Sequence, residues 1–297
     1  MQPAAPPITV VIPTLGTPTL EAAIRSALAV SNTARVIVVD DAEQPIPASR
    51  LARIDSRIDL IRRSATGPSA ARNAGLDAAR TPHILLLDDD DELVTAGVFA
   101  AMYLGDRLHA SAVVAARTDV LPDNTEQRKP VPEHWADRAL PNTSDLWKPI
   151  GLFGASGVLL RPPATEARVR FDEDIWIGED RDMLTRAAAV GPIAVSSQTA
   201  LRVRIHPHTS ANLTSPRMIH RRIGDHLTLL DRHLNDDNAA HWQASTTWLI
   251  KQIAKHGGPA SGTRQLLDTM RAHRWPIPAK ARLRLLTRKL SPDSTNV

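Results

Sequence analysis

The sequence has 297 residues, enough for one large domain or one domain with an appendage. Hydrophobic residues make up 42% and charged residues 23%, the balance of an ordinary soluble globular protein, and the formal net charge is +4. There is no cysteine, which excludes disulfides, thiolate zinc sites and a cysteine nucleophile and fits a reducing cytoplasm. Aromatic residues reach only 3%, so the core must be built from Ala, Val, Leu and Ile. Met1–Pro7 lacks the apolar stretch of a signal peptide. No apolar run approaches the roughly 20 residues that a membrane helix needs.

Along the first half, short β-branched runs alternate with helical patterns. Ile8–Ile12 reads as a buried strand closed by Pro13. Leu20–Val30 reads as a helix with Leu20, Ala23, Ile24, Ala27 and Leu28 on one face. Val36–Val39 and Ile58–Ile61 are the next strands, and Ser69–Arg80 is a helix after Gly67-Pro68. Ile84–Leu87 is a fourth strand and Ala112–Ala116 a fifth. This alternation predicts an α/β fold with a doubly wound, mostly parallel sheet. Leu121–Pro149 is polar and Pro-rich and reads as a long loop or lid. Gly157–Leu160 is a strand and Glu179–Val190 a helix. Ile193–Val195 and Leu201–Ile205 are two further short strands.

The end of the chain is helical. Ile219, Ile223, Leu227, Leu230 and Leu234 recur at spacings of three and four. Helices follow over Thr246–Lys255, Thr263–Ala272 and Ala279–Leu290. From Arg217 onward there are 14 Lys/Arg against 6 Asp/Glu, which leaves the preceding part of the chain net negative. The basic excess is either a solvated helical face or a surface for an anionic partner.

Two acidic groups stand at strand ends, Asp40-Asp41 and Asp88–Asp91. In an open α/β sheet, ligands bind beyond the carboxyl ends of the strands. Four consecutive carboxylates repel one another, and gathering them there is costly unless a cation or solvent relieves it. Hard carboxylate oxygens suit Mg²⁺ or Mn²⁺.

Four stretches in order, TVVIPT at Thr9–Thr14, VIVVDD at Val36–Asp41, GPSAARNAGLDAA at Gly67–Ala79 and HILLLDDDDEL at His83–Leu93, resemble the nucleotide-binding half of family-2 glycosyltransferases with the GT-A fold. The resemblance resumes with GASGVLLR at Gly154–Arg161, FDEDIWIGEDRDMLTRAAAVGPI at Phe171–Ile193 and LRVRIHPHTSA at Leu201–Ala211. It implies a GT-A-like domain over 1–216, with a nucleotide part near 8–120 and an acceptor part near 121–216, and a helical appendage over 217–297.

The resemblance assigns roles residue by residue. Asp41, with Asp40 second, would contact the base or ribose of the donor, or else act as a turn or capping aspartate. Pro13 and Thr14 would line the base pocket, unless Thr14 only caps the following helix. Gly67 and Gly75 would permit close backbone approach. Arg72 and Asn73 match the Ala-Arg-Asn-Ala-Gly segment, where an arginine touches the nucleotide, organises the acidic cluster or makes a plain structural ion pair. Asp88 and Asp90 match the outer members of the Asp-x-Asp motif and would hold the metal. Asp89 lies between them on the donor, and Asp91 matches a further acidic position. His206 would complete the metal site, with His208 a weaker candidate. Asp180 would be the catalytic base and Glu179 its alternative.

There are departures. The usual Asp-Asp-Gly-Ser is Asp-Asp-Ala-Glu at Asp40–Glu43, and Arg181 stands where an aromatic is usual. The Gln-x-x-Arg-Trp signature of processive synthases is absent, which favours transfer of a single sugar. The resemblance thus implies an inverting, metal-dependent transfer from a nucleoside-diphosphate sugar, UDP by default, to an unidentified hydroxyl acceptor. No nucleic acid partner is expected. The basic helices suggest contact with the inner face of the membrane or a homodimer. A sugar-phosphate nucleotidyltransferase is the nearest rival, but Pro13–Leu20 (PTLGTPTL) carries no basic residue for its signature. A phosphatase with an aspartate nucleophile and a non-catalytic binding module are more distant rivals.

Overall fold

The computed structural model describes residues 5–148, 151–206 and 218–287. By its internal contacts the chain forms two compact units. One comprises Met1–Leu146, Ile150–Ile175 and Glu179–Pro207, and the other Trp147–Pro149, Trp176–Gly178 and His208–Val297.

The first unit is built on a ten-stranded sheet. The apolar run at the start becomes β1 (Ile8–Thr14), buried along nearly its whole length. It pairs in parallel with β2 (Thr33–Asp40) on one side and β4 (His83–Leu86) on the other. Outside β2 lies β3 (Ile58–Arg62), also parallel. The chain therefore winds outward from β1 and returns on its other flank, which leaves a topological switch point between the carboxyl ends of β1 and β4. Helix α1 (Leu20–Ala29) packs on Ile8, Val10 and Ile12, and α3 (Pro68–Ala78) meets the opposite face at Val11. The sheet is thus covered on both faces, as parallel strands of continuous Val, Ile and Leu require.

Beyond β4 the sheet continues through the short antiparallel β9 (Leu159–Leu160) to β6 (Ala112–Val120) and β10 (Ile193–Arg204), which are parallel to each other. The brief strands β5 (Glu92–Leu93), β7 (Glu126–Lys129) and β8 (Arg138–Ala139) pair antiparallel at the margins.

Two expectations need correction, and two helices were not foreseen. Leu121–Pro149 is not a structureless loop, since it contributes β7, β8 and 3₁₀ turns at Glu133–Trp135 and Thr143–Trp147. Trp135, Leu146 and Trp147 are buried, and these anchors give the polar, Pro-rich segment its order. Ile193–Val195 and Leu201–Ile205 are one strand, β10, whose register against β6 slips around Thr199. The polar stretch that suggested a break, Ser196–Thr199, is the irregular stretch inside it. Helix α4 (Thr95–Leu108) was not foreseen, and neither was the short α2 (Ala48–Ala52).

The second unit contains α6 (Ile219–His233), α7 (Ala239–His256), α8 (Ala260–Ala272) and α9 (Ala279–Thr287). The predicted apolar repeat buries Ile219, Ile223 and Leu230, together with Trp242, Ile250 and Ile253 of α7 and Leu266 and Met270 of α8. Trp147 joins this core with its ring 4.9 Å from that of Trp242. Among the described residues, no helix is long and apolar enough to cross a membrane. His208 and the last residues of the predicted Ala279–Leu290 helix lie outside the described residues.

Candidate active site

The site gathers at the switch point of the first unit. β1 ends in Thr14, whose hydroxyl donates to Asp89 Oδ2 and accepts from the N–H of Gly16 at 2.9 Å. Thr14 therefore turns the chain after β1 and ties it to the acidic run after β4. Pro13 is the penultimate residue of the strand, paired with Val39.

The two aspartates at the end of β2 are buried and bonded to protein. Asp40 accepts the N–H groups of Ala42 at 3.1 Å and Ile46 at 2.7 Å and pairs with Arg62 at 2.9 Å. It shapes the 42–46 turn, the loop that lacks the usual glycine. Asp41 accepts the N–H of Thr66 and that of Gly67, each at 2.8 Å, and the Thr66 hydroxyl at 2.9 Å. Gly67 takes φ +92° as it caps α3, a conformation that disfavours any side chain. Gly75, further along that helix, faces Val11 so closely that an added Cβ would lie 2.2 Å from a Val11 methyl.

One face of α3 then carries Ser69, Arg72 and Asn73. The Ser69 hydroxyl donates to the carbonyl of Ile175 at 2.9 Å. Asn73 accepts the Phe171 N–H at 2.9 Å and donates to the Phe171 carbonyl at 3.1 Å. Arg72 is buried beneath Phe171 and splits its guanidinium between two carboxylates. Nη2 donates to Asp88 Oδ1 at 2.9 Å and Nη1 to Glu179 Oε1 at 3.1 Å. Burial alone would lower the pKa of Arg72, but Asp88 and Glu179 raise it above the ordinary arginine value. Arg72 is thus an ion-pair partner of both carboxylates, in keeping with the readings of cluster organiser and structural ion pair alike.

The run Asp88–Asp91 fans out from the end of β4. Asp88 is partly exposed and faces Arg72. Asp89 faces Thr14. Asp90 meets His206 Nε2 at 2.9 Å. Asp91 turns inward to the N–H of Arg204 at 3.2 Å. Burial, augmented by their neighbours' charges, pushes the carboxyls of Asp89, Asp90 and Asp91 upward, that of Asp91 to about 8. Each of these three groups thus holds its proton more tightly than a free carboxyl does, mainly because it is desolvated. Among the described residues, no three His, Asp or Glu side chains converge as a ready-made metal cage. The fit to a divalent cation rests instead on hard oxygen donors gathered at one strand end, and Asp88, Asp90 and His206 are the members closest to solvent.

Glu179 and Asp180 open α5 (Glu179–Ala188). Glu179 is buried against Arg72. Desolvation and the neighbouring charge of Asp180 push its carboxyl up to about 7. Asp180 is partly buried, and desolvation raises its pKa despite Arg181 and Arg72. One Asp180 oxygen accepts the N–H of Arg181 at 2.7 Å. The other lies beside Gly154, where an added Cβ would come within 4.0 Å. Two residues on, the Ser156 hydroxyl accepts the N–H of Asp88 at 3.1 Å. Ser156, Ser69 and Thr17, whose hydroxyl reaches the Asp89 carbonyl at 3.5 Å, were not singled out from the sequence, although each lies inside or beside a family-like stretch.

Comparison with known proteins agrees with this geometry. The family described as Glycosyl transferase family 2 matches residues 9–160. A curated relative, the succinoglycan biosynthesis protein ExoO of Rhizobium meliloti (strain 1021), is 29% identical over 305 residues, spanning 93% of this chain and 86% of that protein. Among solved structures, S. aureus TarS 1-349 superposes with a TM-score of 0.55 at 15% identity, covering 83% of this chain and 81% of that one. Its complex with UDP gives 0.56 at 16% identity over 84% and 71%, and that with UDP-GlcNAc 0.56 at 14% over 83% and 81%. At such identity the structures speak for the fold alone, and that fold is GT-A. The chain belongs to glycosyl transferase family 2 and is a glycosyltransferase of the nucleotide-sugar type.

Proposed function

We propose that the enzyme moves one sugar from a nucleoside-diphosphate sugar to an acceptor hydroxyl with inversion at the anomeric carbon. The observation that carries this reading is the buried guanidinium of Arg72, which joins the donor-side carboxylate Asp88 to the Glu179–Asp180 pair. A single displacement requires a base that reaches the acceptor hydroxyl on the side of the anomeric carbon opposite the departing diphosphate, and the shared guanidinium holds the donor-side carboxylate and the base pair in one site.

In this reading Asp180 takes the acceptor proton. The acceptor oxygen bonds to the anomeric carbon, the bond from that carbon to the phosphate oxygen breaks, and the nucleoside diphosphate leaves with the electron pair. Glu179 is occupied by Arg72 and serves the base by position and charge. Thr14, Asp41 and the Thr66–Gly67 turn form the wall for the nucleotide. Asp88 and Asp90, with His206, would hold Mg²⁺ or Mn²⁺, which supplies charge neutralisation for the departing diphosphate. UDP is the first nucleotide to test, because the similarly folded TarS is described in complex with UDP and with UDP-GlcNAc. A saccharide acceptor is favoured by the similarity to a protein of succinoglycan biosynthesis. The basic helices would hold the enzyme against the inner face of the membrane, and a homodimer through them is the competing use.

The test is a UDP-sugar panel assayed for transfer and for donor hydrolysis, with and without Mn²⁺, followed by NMR of the product's anomeric configuration. Asp180→Asn is expected to lower turnover by roughly 10²–10⁴-fold with donor affinity retained. Glu179→Gln is expected to be milder, and Asp90→Asn to abolish the metal response. Retained configuration, or full activity of Asp180→Asn, would overturn the reading.

A further inference from the structure

The segment that leads into the catalytic pair is held residue by residue. Phe171 and Ile175 are tied to Asn73 and Ser69. The next residues, Trp176–Gly178, belong to the helical unit, and there a second tie begins. Asp225 of α6 is 4% exposed, and its Oδ2 accepts the backbone N–H of both Trp176, at 3.1 Å, and Ile177, at 3.0 Å. Its Oδ1 pairs with Arg221 Nε, one helical turn earlier, at 3.2 Å. The Arg221 guanidinium in turn lies over the Trp176 indole, 5.1 Å from the ring centroid. Spacing by four along α6 puts both residues on the face that grips the segment.

Burying a carboxylate is costly, and this one is compensated by two backbone donors and a guanidinium. What those bonds immobilise ends two residues before Glu179. We propose that Asp225, backed by Arg221, is a positioning residue for sugar transfer. It fixes the backbone at Trp176 and Ile177 and so sets where the chain enters Glu179 and Asp180. The inference rests on the reading of Asp180 as the base. A displacement of a catalytic group by about 1 Å is enough to lower a rate by ~10²-fold.

The experiment compares the full-length wild type with Asp225→Ala, Asp225→Asn and Arg221→Met. Hydrolysis of UDP-glucose, UDP-galactose and UDP-GlcNAc is followed across pH, with UDP affinity measured separately and backbone amide exchange monitored at Trp176 and Ile177. Asp225→Ala is expected to loosen those two amides and lower kcat by about 10–100-fold. It should also shift the acidic limb of the pH profile, with donor KM and UDP affinity within about twofold of wild type. Asp225→Asn, which keeps an oxygen for the two N–H groups, should recover most of the rate, and Arg221→Met should fall between. Should Asp225→Ala fail to fold, the other two variants carry the comparison. Loosened amides with unchanged kcat and pH profile overturn the inference alone. A wild type that turns over none of the donors overturns the functional reading and this inference with it.

Discussion

Burial divides the work between the two carboxylates that open α5. Glu179 sits against Arg72 with its carboxyl pushed up to about 7, while Asp180 keeps a partly open side chain and is free of a direct arginine pair to Arg72. The raised Glu179 value is also a statement about stability. The folded protein holds a proton that the unfolded chain releases nearer the ordinary value of 4.5. Stability therefore declines as pH rises from the unfolded pKa through the folded one. Melting temperature followed from pH 4.5 to 7.5 should show this decline, and Glu179→Gln should make it shallower, leaving the part that comes from Asp91. An unchanged slope in that variant would mean that Glu179 does not titrate in the window. At this scale the family resemblance grouped His206 with Asp88 and Asp90 and let Arg72 organise the acidic cluster, but the pairing of Arg72 with Glu179 was not legible. Those two residues lie more than a hundred positions apart in the chain. No local pattern encodes such a pairing.

Among the elements, those that were legible are the ones whose burial follows a simple period. β1, β2 and β4 are continuous apolar runs because they are covered on both faces, and α1 and α3 carry a one-sided stripe. Helix α4 escaped because Gly97 and Gly105 interrupt its pattern and because it buries Val98, Ala101, Met102 and Leu104, a blurred stripe. β10 looked like two strands because Ser196–Thr199 breaks its apolar run where its pairing with β6 slips. Packing of α3 on β1 gives an element-scale prediction. Gly75→Ala places a methyl 2.2 Å from Val11 and should destabilise the protein by about 1–3 kcal/mol through overpacking, readable by denaturant titration. Unchanged stability would show that helix and strand separate at no cost. Since α3 also carries Ser69, Arg72 and Asn73, the same variant should lower turnover.

For the whole molecule, charge is divided along the chain. The residues from Arg217 onward carry 14 Lys/Arg against 6 Asp/Glu, while the preceding part is net negative. If this excess holds the enzyme to a membrane, the full chain should co-sediment with vesicles containing anionic lipid and stay free of neutral phosphatidylcholine vesicles. Salt near 0.5 M should release it, because the screening length then shrinks to several ångströms or less. Binding to neither vesicle, with a concentration-dependent dimer in sedimentation, would favour the competing use of these helices.

The shared guanidinium of Arg72 makes donor loading and proton affinity reciprocal quantities. Anything that neutralises Asp88 leaves Arg72 more fully to Glu179, and a carboxylate with a stronger cation gives up its proton more readily. By linkage, the same coupling must run the other way, so a proton on Glu179 should alter affinity at Asp88. Binding of UDP with Mn²⁺ near neutral pH should therefore release protons into the medium. Calorimetry in two buffers of different ionisation enthalpy would count them. The count should fall in Glu179→Gln by the share that Glu179 supplies, Asp91 supplying the remainder, and an identical count in that variant would break the link.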